Sequence, residues 1–190
     1  MQKRIILAIT GASGSGFGVA LLKRLVASTK VEQITLLFST TGRRCLADEC
    51  CQTEKDLGAL SPKIVLQNEK DLGAAISSGS HSHDGMVLLP CSAGALGRIA
   101  SGVSESLVSR AADVCLKERR PLVLCLRETP LNRIHLENML RVHDAGAIVM
   151  PIMPGFYYGP KTIDDLFDAF ATRVMDQLSL HEEDPRRWKG

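Results

Sequence analysis

Three groups of polar residues stand where apolar runs end, and these carry the chemistry this chain could perform. The first is Thr10-Gly11-Ala12-Ser13-Gly14-Ser15-Gly16-Phe17-Gly18, directly after Ile5-Ile6-Leu7-Ala8-Ile9. Glycines let a backbone approach an anion, and the free amides and dipole at a helix start favour its charge. The hydroxyls of Ser13 and Ser15 add donors. The same residues would also make a plain strand-to-helix turn with a serine N-cap and no ligand. The register is not that of G-x-G-x-x-G, and no Gly-Lys-Ser/Thr follows as a Walker loop requires. The second apolar run ends in Phe38-Ser39-Thr40, where a dinucleotide site would place an acid for the ribose. A mononucleotide fits better, with flavin mononucleotide (FMN) the leading candidate.

The second group is Cys91-Ser92-Ala93-Gly94-Ala95, after Leu88-Leu89-Pro90. Small residues there leave room for a flat ring, and Ser92 can donate or accept a hydrogen bond or simply cap a helix. The third is Arg127-Glu128, after Leu122-Val123-Leu124-Cys125-Leu126. Arginine offers a planar fork of donors to phosphate, and a glutamate beside it could carry a proton. A local ion pair between the two is the plainer alternative. On the helix expected over Glu105–Arg119, Arg110 and Lys117 are about two turns apart on one face, with Asp113 between them. That spacing suits a solvated charged stripe or a grip on a small phosphate. Tyr157 and Tyr158 share a proline- and glycine-rich loop, and Arg173 sits amid Phe170, Ala171 and Val174. Such a cation reaches for water, an oligomer interface or an anion.

The elements that must position these groups follow from hydrophobic pattern. Strands are expected at Arg4–Thr10, Gln33–Ser39, Lys63–Gln67, Gly85–Pro90, Pro121–Arg127 and Gly146–Ile152. Most are nearly continuous apolar runs, as in strands buried on both faces of a parallel sheet. Helical stripes lie between or after them: Phe17, Leu21, Leu22 and Leu25; Leu107, Val108, Ala111, Ala112 and Cys115; Leu166, Phe167, Phe170 and Val174. This alternation predicts an α/β fold, a single doubly wound, mostly parallel sheet, in one domain over 1–190 with a tail from about 180 to 190.

Composition narrows the class. A net charge of +2 without a long basic run gives no support for nucleic-acid binding. No apolar stretch approaches the roughly 20 residues of a membrane span, and Met1–Arg4 leads straight into a strand, so a cytoplasmic protein is expected. The six cysteines form no C-x-x-C pair and read as free thiols, largely buried. His81 and His83 alternate in a polar segment and read as surface imidazoles, with no metal site expected.

Taken together and in this order, these pieces resemble the UbiX family of flavin prenyltransferases. The match runs through Thr10-Gly-Ala-Ser-Gly14, Leu89-Pro-Cys-Ser92, Arg110-Ala-Ala-Asp-Val-Cys-Leu-Lys-Glu118, Arg127-Glu-Thr-Pro-Leu131, Ile134-His-Leu-Glu-Asn-Met139 and Pro154-Gly-Phe-Tyr157. The resemblance implies that Gly11, Ala12, Ser13, Ser39, the turn Ser92-Ala93-Gly94-Ala95 and Arg127 contact FMN. It implies that Tyr157 and Arg173, with Lys117 and Arg110, grip the phosphate of dimethylallyl monophosphate. Glu49 and Glu128 would handle protons with Ser13 assisting, and Trp188 would help enclose the prenyl group. It further implies a homododecamer with sites between subunits, and a product, prenylated FMN, used by a UbiD-type decarboxylase. Ala95 departs from a common threonine, and Tyr158 from histidine or asparagine. A flavin-dependent cysteine-peptide decarboxylase and a non-catalytic flavin carrier are the rival readings.

Overall fold

The structure, a computed structural model, describes residues 2–188; residue 1 and residues 189–190, the ends of the expected domain and tail, lie outside them. Strands β1 (Lys3–Ile9), β2 (Val31–Phe38), β3 (Ile64–Gln67), β4 (Gly85–Cys91), β5 (Leu122–Leu126) and β6 (Ile148–Val149) form one sheet in the order β3-β2-β1-β4-β5-β6. Every pairing is parallel, so the expected doubly wound sheet is present. Around it lie helices α1 (Ser15–Ala27), α2 (Thr40–Cys50), α3 (Glu54–Gly58), α4 (Ala93–Ala100), α5 (Leu107–Lys117), α6 (Arg133–Asp144) and α7 (Ile163–Gln177).

Successive strand side chains point to opposite faces, and β1 shows the consequence. Ile5, Leu7 and Ile9 join one core with Leu21, Leu22, Leu25, Phe170 and Val174 of α1 and α7. Ile6 and Ala8 join a second core with Leu96, Ala111 and Cys115 of α4 and α5. A strand apolar on both faces is what this layering demands, and each fully buried large aliphatic contributes about 1.5–3 kcal/mol.

The sheet's outer strands depart from that pattern. Val65 and Leu66 of β3 are each 39% exposed, because an edge strand lacks a neighbour and full helix cover. The strand expected over Gly146–Ile152 shrinks to two residues, although Met150 and Ile152 still donate to Leu124 and Leu126 carbonyls (2.9 Å each). Pro151, between them, has no N–H to give. Helices α2 and α6 bury little, which is why no apolar stripe announces them. Gly42 and Leu46 are buried in α2, Val142 alone in α6, while Ile134 is 66% exposed. Helix α2 instead depends on close approach: a Cβ at Gly42 would stand 2.2 Å from the Ile9 carbonyl oxygen.

Among the described residues no helix is long and apolar enough to cross a membrane. Of the six cysteines, Cys91, Cys115 and Cys125 are buried free thiols, while Cys51 is exposed. His83 corrects the surface reading of the alternate histidines. It is 5% exposed, and neither ring nitrogen has a hydrogen-bond partner among the described residues.

Candidate active site

In this strand order the chain reverses direction of growth between β1 and β4, and ligands of open parallel sheets bind in the crevice outside the strand ends at such a point. The turns after β1 and β4 are the first two polar groups of the sequence, and the turn after β5 is the third. Their backbones are tied together. The Thr10 amide and hydroxyl both donate to the Pro90 carbonyl (3.1 and 2.9 Å), and the Ser92 amide donates to Thr10 Oγ1 (2.8 Å). The Arg127 amide donates to the Cys91 carbonyl (3.0 Å), and Arg127 Nε to the Ser13 carbonyl (3.1 Å). The turns that carry Ser13, Ser92 and Arg127 therefore lie side by side at one end of the sheet.

Each corner is set by local chemistry. Ser92 caps α4 by accepting from the Ala95 amide (3.2 Å), and Ser39 caps α2 by accepting from the Gly42 amide (3.0 Å). Gly14 is the N-cap of α1 at φ 107°, a left-handed conformation that a side chain would strain. The serine N-cap considered for α1 is absent. Its place is taken from another element: Glu49, on α2, accepts from the Gly14 and Ser15 amides (2.9 and 2.8 Å). Burial pushes the Glu49 carboxyl up, but the Ser13 hydroxyl and the Ser15 and Gly14 amides outweigh it and hold it below the usual glutamate range. An anion at the first turn thus meets two α1 amides already occupied by a carboxylate.

A cleft of about 420 Å³ is lined by Gly11, Ser39, Thr40, Ser92, Ala93, Gly94, Arg98 and Glu128. A deeper recess of about 250 Å³ adjoins it through Ser39, Glu69 and Arg98, with Ala95 on its wall. Arg127 and Glu128 are half-buried and make no ion pair with each other among the described residues, so the local pairing considered for them does not form. Among the described residues the Glu128 carboxylate accepts only from the Thr129 amide (3.1 Å), and it lines the cleft with acceptor capacity left. Cys91, beneath this floor, is fully enclosed; burial pushes its thiol up to about 12, which makes it packing material and not a nucleophile.

Ala12 is buried under the first turn. Tyr157 and Arg173 line a separate cavity of about 280 Å³, between the loop after β6 and α7. Trp188 meets Tyr157 edge-on, with ring centroids 5.7 Å apart. Arg110 and Lys117 do not reach this cavity within one chain. Helix α5 runs back toward the start of the strands, and Lys117 borders Pro121, Gly146 and Ile148 at the opposite sheet edge. There it pairs with Glu118, while Arg110 pairs with Asp113 (2.7 Å) and donates to the Ser77 carbonyl (3.0 Å). Glu69 and Arg98 face the cleft unannounced by the sequence reading. Neither ends an apolar run: Glu69, in the loop after β3, accepts from Thr40 Oγ1 (2.6 Å) and pairs with Arg43 (3.3 Å), and Arg98 lies on α4.

The Flavoprotein family model matches residues 1–175 of the chain. The flavin prenyltransferase UbiX of Escherichia coli K12 is 43% identical over 191 residues, covering 100% of both chains. The chain belongs to the UbiX-type flavin prenyltransferases. Its fold agrees with theirs in detail. The crystal structure of AnUbiX (PadA1) in complex with FMN and dimethylallyl pyrophosphate superposes at TM-score 0.91 with 40% identity, covering 100% of this chain and 99% of that one. A dodecameric FMN-dependent UbiX-like decarboxylase from Escherichia coli O157:H7 gives TM-score 0.93 at 42% identity, covering 98% and 100%.

The residues present fit a flavin mononucleotide. Gly11 and Thr41 both line the cleft, and a Cβ at Gly11 would lie 2.5 Å from the Thr41 Cβ, so only glycine lets the first turn approach α2 there. The small residues Ala93 and Gly94 line its other wall, and Arg98 is the cation on its lining.

Proposed function

We propose that the chain joins the dimethylallyl group of dimethylallyl monophosphate to reduced FMN, giving prenylated FMN. Bound reduced FMN supplies the nucleophilic N5 and C6 positions to which the five-carbon unit becomes attached. The observation that carries this reading is the convergence of the three turns, with Arg127 bonded to Ser13 and Cys91 and Glu128 left unpaired beside them.

Gly11, Ala12, Ser13, Ser39, the Ser92–Ala95 turn and Arg127 hold and orient the flavin. Tyr157 and Arg173 hold the donor phosphate, and Arg110 and Lys117 reach it from a neighbouring copy in a homododecamer. As the allylic C–O bond breaks, the phosphate takes the bonding electrons, and these cations stabilise its growing charge. The prenyl cation left behind needs exclusion of water, to which Trp188 and Tyr157 contribute ring faces. Glu128 carries a proton at its carboxyl oxygen, and Glu49 with Ser13 forms a second proton-handling pair at the start of α1. Ala95 offers no hydroxyl to the ring, so flavin orientation rests on backbone groups at that wall. The product passes to a UbiD-type decarboxylase.

A cysteine-peptide decarboxylase would want a histidine near the first helix, whereas no histidine precedes His81. A flavin carrier needs no spare carboxylate at the cleft. The deciding experiment is mass spectrometry of flavin extracted after anaerobic reaction of FMNH2 with protein and dimethylallyl monophosphate, or the pyrophosphate in a parallel arm. Gain of one prenyl unit is expected with the monophosphate. Unmodified FMN in both arms, beside an active control enzyme, would establish the carrier reading instead.

A further inference from the structure

We propose that Asp176 is a positioning residue that fixes Arg173 and the C-terminal strap as one unit, so that the donor phosphate meets a pre-oriented guanidinium. The proposal rests on the reading that Arg173 and Tyr157 hold that phosphate.

Asp176 lies in the last turn of α7 with its side chain only 7% exposed, an expensive place for a carboxylate unless it is paired. Its Oδ2 accepts from Arg173 Nη1 and Arg187 Nη1 (2.8 Å each), and its Oδ1 from Arg187 Nη2 (2.6 Å). His181 Nδ1 stands 3.1 Å from the same Oδ1. The bonds from Arg187 outweigh burial and hold the carboxyl below the usual aspartate range, so it remains an anion near neutrality.

Counting donors separates the two arginines. Arg187 also gives Nε and Nη2 to the Glu182 carbonyl (3.3 and 3.0 Å), which occupies all three of its nitrogens. Arg173 gives Nη1 alone among the described residues, leaving its Nε and Nη2 without partners. Those two nitrogens form the edge that binds phosphate through two parallel hydrogen bonds. Tyr157, whose hydroxyl has no protein partner among the described residues, lines the same cavity as Arg173. Arg186, also on its wall, is held by Asp184 and Asp168 (2.5 and 2.7 Å). Among the described residues Arg173 is therefore the cavity's arginine whose Nε–Nη2 edge is free, since Asp184 takes that edge of Arg186, and Asp176 sets its orientation. Because the same carboxylate holds Arg187, it also sets where the next residue, Trp188, rests on Tyr157.

The test uses Asp176→Asn in the full chain. The expected result is a KM for dimethylallyl monophosphate raised about ten- to hundredfold, the size of one charge-assisted hydrogen bond. FMN retention should be unchanged, and Asp176→Glu should recover most of the loss. Trp188 is the only tryptophan, so its anisotropy in flavin-free protein reads strap seating without reference to turnover, and it should fall in Asp176→Asn. A KM and anisotropy matching an active wild type would overturn the proposal, whereas an inactive wild type would overturn the functional reading instead. Should Asp176→Asn fail to fold, Arg187→Met provides the test. It should lower the anisotropy and raise KM by less, since Arg173 keeps its partner; wild-type values of both would overturn the proposal.

Discussion

Where the strands begin, cations serve the fold. Lys63 Nζ donates to the Val26 and Ser28 carbonyls at the end of α1 (2.9 and 2.8 Å), and Lys3 Nζ to the Leu178 carbonyl closing α7 (2.6 Å). Arg120 donates to the His81 and Gly79 carbonyls (2.8 and 2.7 Å). Where the strands end, Arg127 spends one nitrogen on Ser13, and Glu128 accepts one amide. The difference follows from helix polarity. Crossover helices end at the first edge, leaving carbonyls that Lys3 and Lys63 satisfy, and start at the second, leaving amides for an anion. The same charged residue types are structural at one edge and available for chemistry at the other.

Three substitutions probe that contrast. At the strand ends, Glu128→Gln should lower turnover by about a hundredfold or more while FMN binding and thermal midpoint hold, since a positioned acid contributes about 10²–10⁴-fold. Equal turnover in steady-state assays would move the proton to another group. At the strand starts, His83 gives the next largest effect. Burial first, then the Arg120 charge, push its imidazole down to about 4. The unfolded chain binds this proton near pH 6.5, so the contribution is complete above 6.5 and is lost as pH falls toward 4, by about 3 kcal/mol in all. The wild-type urea midpoint should fall relative to that of His83→Leu as pH drops across that range; parallel curves would place the pH dependence elsewhere. Smallest is Lys63→Met, which leaves two α1 carbonyls unpaired and should cost about 1–3 kcal/mol by denaturant titration, with activity per folded molecule unchanged. A change in KM would mean that the starting edge is not purely structural.

Legibility in the sequence follows the same division. Ser13, Ser92 and Arg127 were visible because each ends an apolar run, and alternating strands and helices put such ends on one edge. Glu49 was accessible only through resemblance: it lies on a helix without an apolar stripe and reaches α1 across the fold. Lys117 and Arg173 both looked like cations on helical faces, yet one borders the start of the sheet and the other a cavity beside its end. His83 looked like a surface residue because its neighbours are polar, and packing of its loop buried it.

By itself, the order of apolar runs and polar turns determined the parallel sheet and the common edge that carries the polar turns, because strand burial and helix polarity are local consequences of residue pattern; the reversal between β1 and β4 came from the tertiary structure. Only the tertiary structure decided which charges are spent. Whether a carboxylate such as Asp176 or Glu49 meets an arginine or a helix amide depends on contacts between segments distant in sequence, and spacing along the chain does not encode those distances.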